Sequence, residues 1–240
     1  MKVFPALAVL MLIGATTPRV FAASCPPEQA PSDTARSSAA AKAATLPQDV
    51  YPDSLNRLPL IQREDLDEAG KKIYDSTVGD SRMLAGLQGP GGIRLYSSRL
   101  AEHFRAVNNY LRFETDLGRR LTELAILVTA REEDSQFEWA AHEPAGRKEG
   151  LEQTVIDIVK YRKPLTGLGE KEAVIIQLGR EVFGKRKVSS DTFARAVKLF
   201  GKAGLVNLVS LMGTYSSTSL LLRTFDQQLH PDQKPLLPIP

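Results

Sequence analysis

Five successive apolar residues, Leu124-Ala125-Ile126-Leu127-Val128, constrain this chain of 240 residues more than any other feature. On a helix such a run turns apolar side chains in every direction, so its helix is expected to be enclosed by neighbours. Glu123 stands at the head of the run, where a carboxylate is costly unless it finds a partner. No segment alternates convincingly at period two. The remaining apolar residues recur at helical spacing, which predicts an all-helical domain. The length suits one domain with a sizeable core.

Residues 1–23 read as a signal peptide. Lys2 supplies the positive start, Phe4 through Ala15 an apolar stretch, and Ala22, Ala23 and Ser24 small residues for cleavage. The apolar stretch is short for a bilayer, so no membrane span is expected in the mature form, and a periplasmic or secreted location follows. Cys25, the only cysteine, suits either a lipid anchor or a spectator thiol; Ala22 stands where a lipoprotein site prefers Leu. One cysteine permits no intramolecular disulfide.

Residues 24–53, rich in Ala, Pro and Ser, read as a flexible leader. Residues 54–230 form the helical domain, and residues 231–240 a Pro-rich tail expected to be extended. The formal charge of +3 falls to +1 without Lys2 and Arg19. Basic and acidic residues are interspersed beyond the signal, so nucleic acid is not an expected partner.

Helical spacing predicts a helix over 63–77 through Leu66, Ala69, Ile73 and Tyr74, then a loop over 86–92 that lacks a nucleotide-binding fingerprint. Ser97 or Ser98 can cap a helix presenting Leu100, Phe104, Val107 and Leu111. Further helices are predicted over 117–131, from a cap at Asp134 or Ser135, and over 151–161, 169–183, 190–200 and 202–225.

The segment Gln136-Phe137-Glu138-Trp139-Ala140-Ala141-His142-Glu143-Pro144 holds the only tryptophan and one of three histidines. Glu138 and His142 are four residues apart and so share a helix face with Ser135. A carboxylate touching an imidazole makes a proton-handling pair near neutral pH. The same pair also fits an exposed helix contact worth about 0.2–0.5 kcal/mol. Glu123 can serve that pair or simply bind Arg119 or Arg120 one turn earlier. Ser135 is a helix-cap candidate as well as a substrate contact, and Trp139 a packing residue as well as a substrate platform. Pro144 removes a donor for the carbonyl of Ala140 and is expected to bend the helix beside His142. His103 and His230 share no metal-ligand spacing with His142, so neither a metal nor another cofactor is expected.

The segment from 114 to 151 resembles the carboxymuconolactone decarboxylase family, which includes the AhpD-like alkylhydroperoxidases. The resemblance rests on Arg119-Arg120-Leu121-Thr122-Glu123-Leu124-Ala125-Ile126-Leu127, on Glu138-Trp139-Ala140-Ala141-His142-Glu143-Pro144, and on Gly150-Leu151. Gly89-Pro90-Gly91-Gly92-Ile93-Arg94 and Leu208-Val209-Ser210-Leu211-Met212-Gly213-Thr214-Tyr215 are similar too, so the likeness covers roughly residues 55–230. It implies an AhpD-like helical bundle assembling into homotrimers or homohexamers, with pockets near subunit contacts. The peroxidase branch carries Cys-x-x-Cys before the histidine; here Ser135 and Glu138 occupy those positions. Disulfide-cycling peroxide reduction therefore lacks both of its thiols.

The resemblance and the residues together lead to an exported, cofactor-independent acid/base enzyme, a decarboxylase or related lyase, acting on a small carboxylated or lactone substrate. His142 is the expected acid/base, Glu138 its orienting partner and Glu123 the residue that tunes the charge. Ser135, Trp139, Arg119 and Arg120 are the expected substrate contacts. A non-catalytic binding or assembly protein of the same fold is the alternative.

Overall fold

The computed structural model describes residues 46–239. The expected signal peptide, most of the expected leader and Cys25 with its lipid-anchor reading lie outside the described residues. Those residues form eight α-helices: α1 (Glu68–Val78), α2 (Pro90–Leu95), α3 (Ser98–Asn109), α4 (Arg119–Glu132), α5 (Gln136–Lys148), α6 (Gln153–Lys160), α7 (Glu170–Gly179) and α8 (Ser190–Thr224). The only extended pairing among them is one bridge, Tyr51 with Asn56. The all-helical class predicted from periodicity is the class observed.

α4 is the hub. Leu124, Ala125, Ile126 and Leu127 are fully enclosed, and α4 packs against α5, α6, α7 and α8. Ile156 of α6, Val174, Ile175 and Ile176 of α7, and Leu208, Leu211 and Met212 of α8 complete this core. A smaller cluster of Ile61, Leu66, Leu95 and Ala101 lies under α1 to α3. α8 is long and apolar enough to cross a membrane by length and composition. Here that apolar length packs onto α4, and the helix is broken at Gly201 (φ 71°, ψ 172°). This is the break that separates the predicted helices 190–200 and 202–225.

Several expected boundaries move for identifiable reasons. α1 begins at Glu68 because the Asp67 carboxylate accepts the Gly70 N–H at 2.7 Å; residues 63–65 form a separate 3-10 turn. The loop expected over 86–92 ends early, since Pro90 occupies the first turn of α2, where a missing N–H is harmless. On α3, Leu100 and Val107 are exposed while Ala101 faces the small core. Ser97 and Ser135 precede α3 and α5 without a side-chain capping bond. α5 runs through Pro144 to Lys148.

Two π-helical turns, Tyr110–Glu114 and Arg180–Lys185, follow α3 and α7. The first buries Arg112. The packed chain begins before the expected boundary at 54, because Val50 is buried and Asn56 bonds Gln227 at 3.0 Å. The tail is also held. The Gln136 side chain accepts the N–H groups of Leu236 and Leu237, both at 2.9 Å, and Leu237 is buried.

Gly179 sets the approach of α7 to α4, since a Cβ there would lie 2.2 Å from Val128 Cγ1. Gly179→Ala is expected to lower stability by about 1–3 kcal/mol through overpacking. Urea unfolding measures it, and an unchanged midpoint would show that α4 and α7 can separate freely.

Candidate active site

His142, from the middle of α5, lies between two carboxylates. Its Nδ1 is 2.6 Å from Glu123 Oε2 on α4, and its Nε2 is 3.5 Å from Glu138 Oε2 one turn earlier on its own helix. The sequence-adjacent Glu138 is thus the more distant partner, and Glu123 from the neighbouring helix is the residue that orients the ring. Tyr215 of α8 meets the ring edge-on, with centroids 5.1 Å apart and planes at 87°. All four side chains are buried.

Glu123 carries the negative charge of the array. Burial, the largest effect on it, pushes its pKa up. The charge and hydrogen bond of His142, with the charges of Arg112 and Arg119, outweigh burial and hold it at about 2. Arg119 Nη2 donates to Glu123 Oε1 at 2.9 Å and Arg112 Nη2 at 3.4 Å. An ionised Glu123 makes His142 Nδ1 the donor, which leaves Nε2 directed toward Glu138. Glu138 is the opposite case. Burial raises its pKa, and the charges of His142, Arg94 and Arg112 offset that only in part. Two glutamates on one imidazole are therefore driven apart, one anionic and one inclined to keep its proton.

Glu138, His142 and Tyr215 line a cleft between the α1–α3 layer and the α5 and α8 helices. Its apolar wall includes Ile73, Met83, Leu84, Phe104 and Phe137; its polar groups include Arg94, Arg105, Asn108, Arg112 and Thr218. Among the described residues, no group of three or more His, Cys, Asp or Glu side chains is arranged to hold a metal ion.

Other residues singled out from sequence stand elsewhere. Trp139 is fully enclosed with its indole N–H on Glu143, so it packs behind α5 and does not face the cleft. Arg119 is engaged by Glu123 and by the Arg112 carbonyl at 2.9 Å. Arg120 reaches outward to Glu152, to Glu172 at 2.7 Å and to the Gly150 carbonyl at 3.0 Å. Ser135 is buried at the start of α5 and is not part of the cleft wall. The arginines that do line the cleft, Arg94 and Arg112, were passed over as candidates. Arg94 and Tyr215 end the two flanking motifs of the family resemblance, which was the signal available for them. Arg112 and Asn108 had none.

No family model matches the chain, and no curated protein matches it at a significant level.

The two glutamates are expected to respond oppositely to removal of their charge. Glu123 has a folded pKa of about 2 against an ordinary 4.5. Its stabilisation is complete above pH 4.5 and lost as pH falls toward 2. Glu123→Gln should cost about 3 kcal/mol at neutral pH and flatten that acid loss. The raised pKa of Glu138 makes folding less favourable as pH climbs above the carboxylate range. Glu138→Gln should therefore raise the melting temperature at pH 7–8. Melting curves across pH check both signs, and equal responses of the two variants would refute the division of charge.

Proposed function

We propose that this chain is an exported acid/base enzyme of the carboxymuconolactone decarboxylase type, which breaks a bond to carbon in a small carboxylated or lactone substrate and protonates the product. The observation that carries this reading is His142 on the cleft wall, with Glu123 at 2.6 Å on one ring nitrogen and Glu138 at 3.5 Å on the other. Acid/base catalysis needs a proton donor at the reacting atom and a fixed hydrogen-bond chain behind it. Glu138 supplies the first, and the imidazole anchored by Glu123 supplies the second.

In a decarboxylation of this kind the carbon–carbon bond to the departing carboxylate breaks and CO2 leaves. The bonding pair stays on the substrate as an enolate or equivalent carbanion. The Glu138 O–H gives its proton to that carbon and becomes a carboxylate beside His142; a proton from solvent restores the acid. Arg94 and Arg112 act through space on Glu138 and stabilise that transient charge. Nothing in this sequence of steps calls on a thiol. With Cys25 the only cysteine in the chain, a thiol peroxidase cycle has no resolving partner.

The second reading, a binding protein of the same fold, is favoured by how completely Glu123 is saturated by His142, Arg112 and Arg119. Such a network serves stability whether or not turnover occurs. We also propose assembly into trimers or hexamers. Its support is the family resemblance, together with an apolar outer strip on α8, where Val206 and Leu220 are 64% and 62% exposed.

His142→Ala, which breaks the hydrogen-bond chain behind the Glu138 proton donor, should lower turnover about 10²–10⁴-fold with helicity retained. CO2 release from a panel of β-keto acids and lactone acids provides the assay, and turnover equal to wild type would sink the assignment. A panel that yields no product, alongside ligand-dependent melting shifts, would favour the binding protein. Val206→Glu together with Leu220→Glu should reduce the mass measured by light scattering to that of a monomer. An unchanged oligomer would place the subunit contact on another face.

A further inference from the structure

Among the described residues, each arginine of the cleft wall has a carboxylate partner except one. Arg105 pairs with Asp80 at 3.0 Å, and Arg112 with Glu123 at 3.4 Å. Arg94 makes its hydrogen bonds to neutral groups: the Thr218 hydroxyl at 2.8 Å and the Pro90 carbonyl at 3.4 Å. Its guanidinium lies over the Phe104 ring, 3.5 Å from the centroid. A guanidinium has five N–H donors in a fork that matches a carboxylate. Two more unmet groups stand on the same wall, since the buried Arg112 Nε and Asn108 Oδ1 have no hydrogen-bond partner among the described residues. Buried polar atoms are rarely left unpartnered unless a site requires it.

We propose that Arg94 is the anion anchor of the cleft, holding the carboxylate of a small organic acid whose apolar body rests against Phe104, Phe137 and Met83. The Arg112 guanidinium supports the same anion, and the Asn108 amide meets a polar substituent of the ligand. This rests on the cleft being a substrate site, and it names the residue and the ligand chemistry that give the site its selectivity.

Three further observations agree. Burial lowers Arg94 to about 10, with Glu138 and Tyr215 opposing that fall, as expected of a cation short of a counter-ion. Glu138 is no complete counter-ion, because burial favours its neutral form. The two hydrogen bonds of Arg94 use one N–H each of Nη1 and Nη2, which leaves three of its five donors for a ligand. The ligand chemistry follows from the wall: one strong anion site and an apolar surface favour an acid with a hydrocarbon or aromatic body over acetate or a sugar acid.

The test is binding of three probes to the full chain, phenylacetate, phenylacetamide and acetate, followed by calorimetry and by melting shifts. Phenylacetate should bind at least about tenfold more tightly than its neutral amide and than acetate, a factor equal to one decade in Kd. Arg94→Gln should erase that preference, Arg94→Lys should keep part of it, and the surface variant Arg195→Gln should leave it intact. Equal binding of acid and amide, no binding of phenylacetate, or an unchanged preference in Arg94→Gln would each overturn the proposal. Should Arg94→Gln fail to fold, Arg94→Lys decides: an undiminished acid preference with the altered fork geometry also counts against the anchor. Failure of the enzymatic reading looks different. It would show as normal turnover in His142→Ala, while the acid preference and its dependence on Arg94 persist.

Discussion

A carboxylate with no exposed surface, Glu123, is the interaction on which the arrangement of this fold depends. Burying an ion costs several kcal/mol unless counter-charges and hydrogen bonds meet it. Three groups do so here, from three parts of the chain: Arg112 from the π-helical turn after α3, Arg119 one turn back on α4, and His142 on α5. Satisfying one carboxylate thereby fixes the approach of the π turn to α4 and the rotation of α5 about its axis. The enclosure itself comes from the apolar run of α4, which leaves Glu123 no route to water. The hydrophobic core creates the electrostatic demand, and the polar network answers it.

That answer gives the array a direction. Among the described residues, the two arginines in hydrogen-bonding contact with this pair of glutamates, Arg112 and Arg119, both bind Glu123. Glu138 receives only a long contact from His142 and the distant field of Arg94 and Arg112. One imidazole therefore separates an anchored anion from a carboxyl group whose pKa burial raises, and the second of these lines the cleft. Neither glutamate would differ from the other by residue type. Direct bonding decides the matter: Arg112 and Arg119 hydrogen-bond Glu123, whereas Arg94 and Arg112 act on Glu138 only through space.

Much of this was legible in the chain because it is local. The run 124–128 announced its own burial, helical spacing located the elements, and Gly201 marked the break in α8. Glu123, Glu138 and His142 could be chosen because two lie on one helix face and the third heads the buried run. The rest depends on which distant segments meet. Arg119 and Arg120 looked the better anion binders by proximity to the motif, yet the rotation of α4 commits one to Glu123 and turns the other outward. Arg94, Asn108, Arg112 and Tyr215 converge from α2, α3, the π turn and α8, and no spacing rule links them. Leu100 and Val107 fit the helical period of α3 but lie beside its buried face, where spacing alone does not identify which apolar positions a small core can accept. Residues 46–53 and the tail pack more closely than composition alone would suggest. Their composition is loop-like, but Val50 and Leu237 each find a place in the packing.

The placement of Arg94 bears on which bond such a site can break. Pairing with a guanidinium stabilises a carboxylate, and loss of CO2 removes that stabilisation as the transition state forms. An acid group held at Arg94 is therefore the group that stays. On the proposed reading, the reacting carbon lies at the other end of the ligand, within reach of Glu138 and His142. This separates two tasks that are often merged in small acid-binding sites. Arg94 fixes position and adds a distant field at Glu138, and on the proposed reading Glu138 delivers a proton without competing for the anion. A charged Glu138 would defeat both, repelling the bound carboxylate and holding no proton to give. The burial that makes Glu138 a liability for folding is the same burial that keeps it fit for that role.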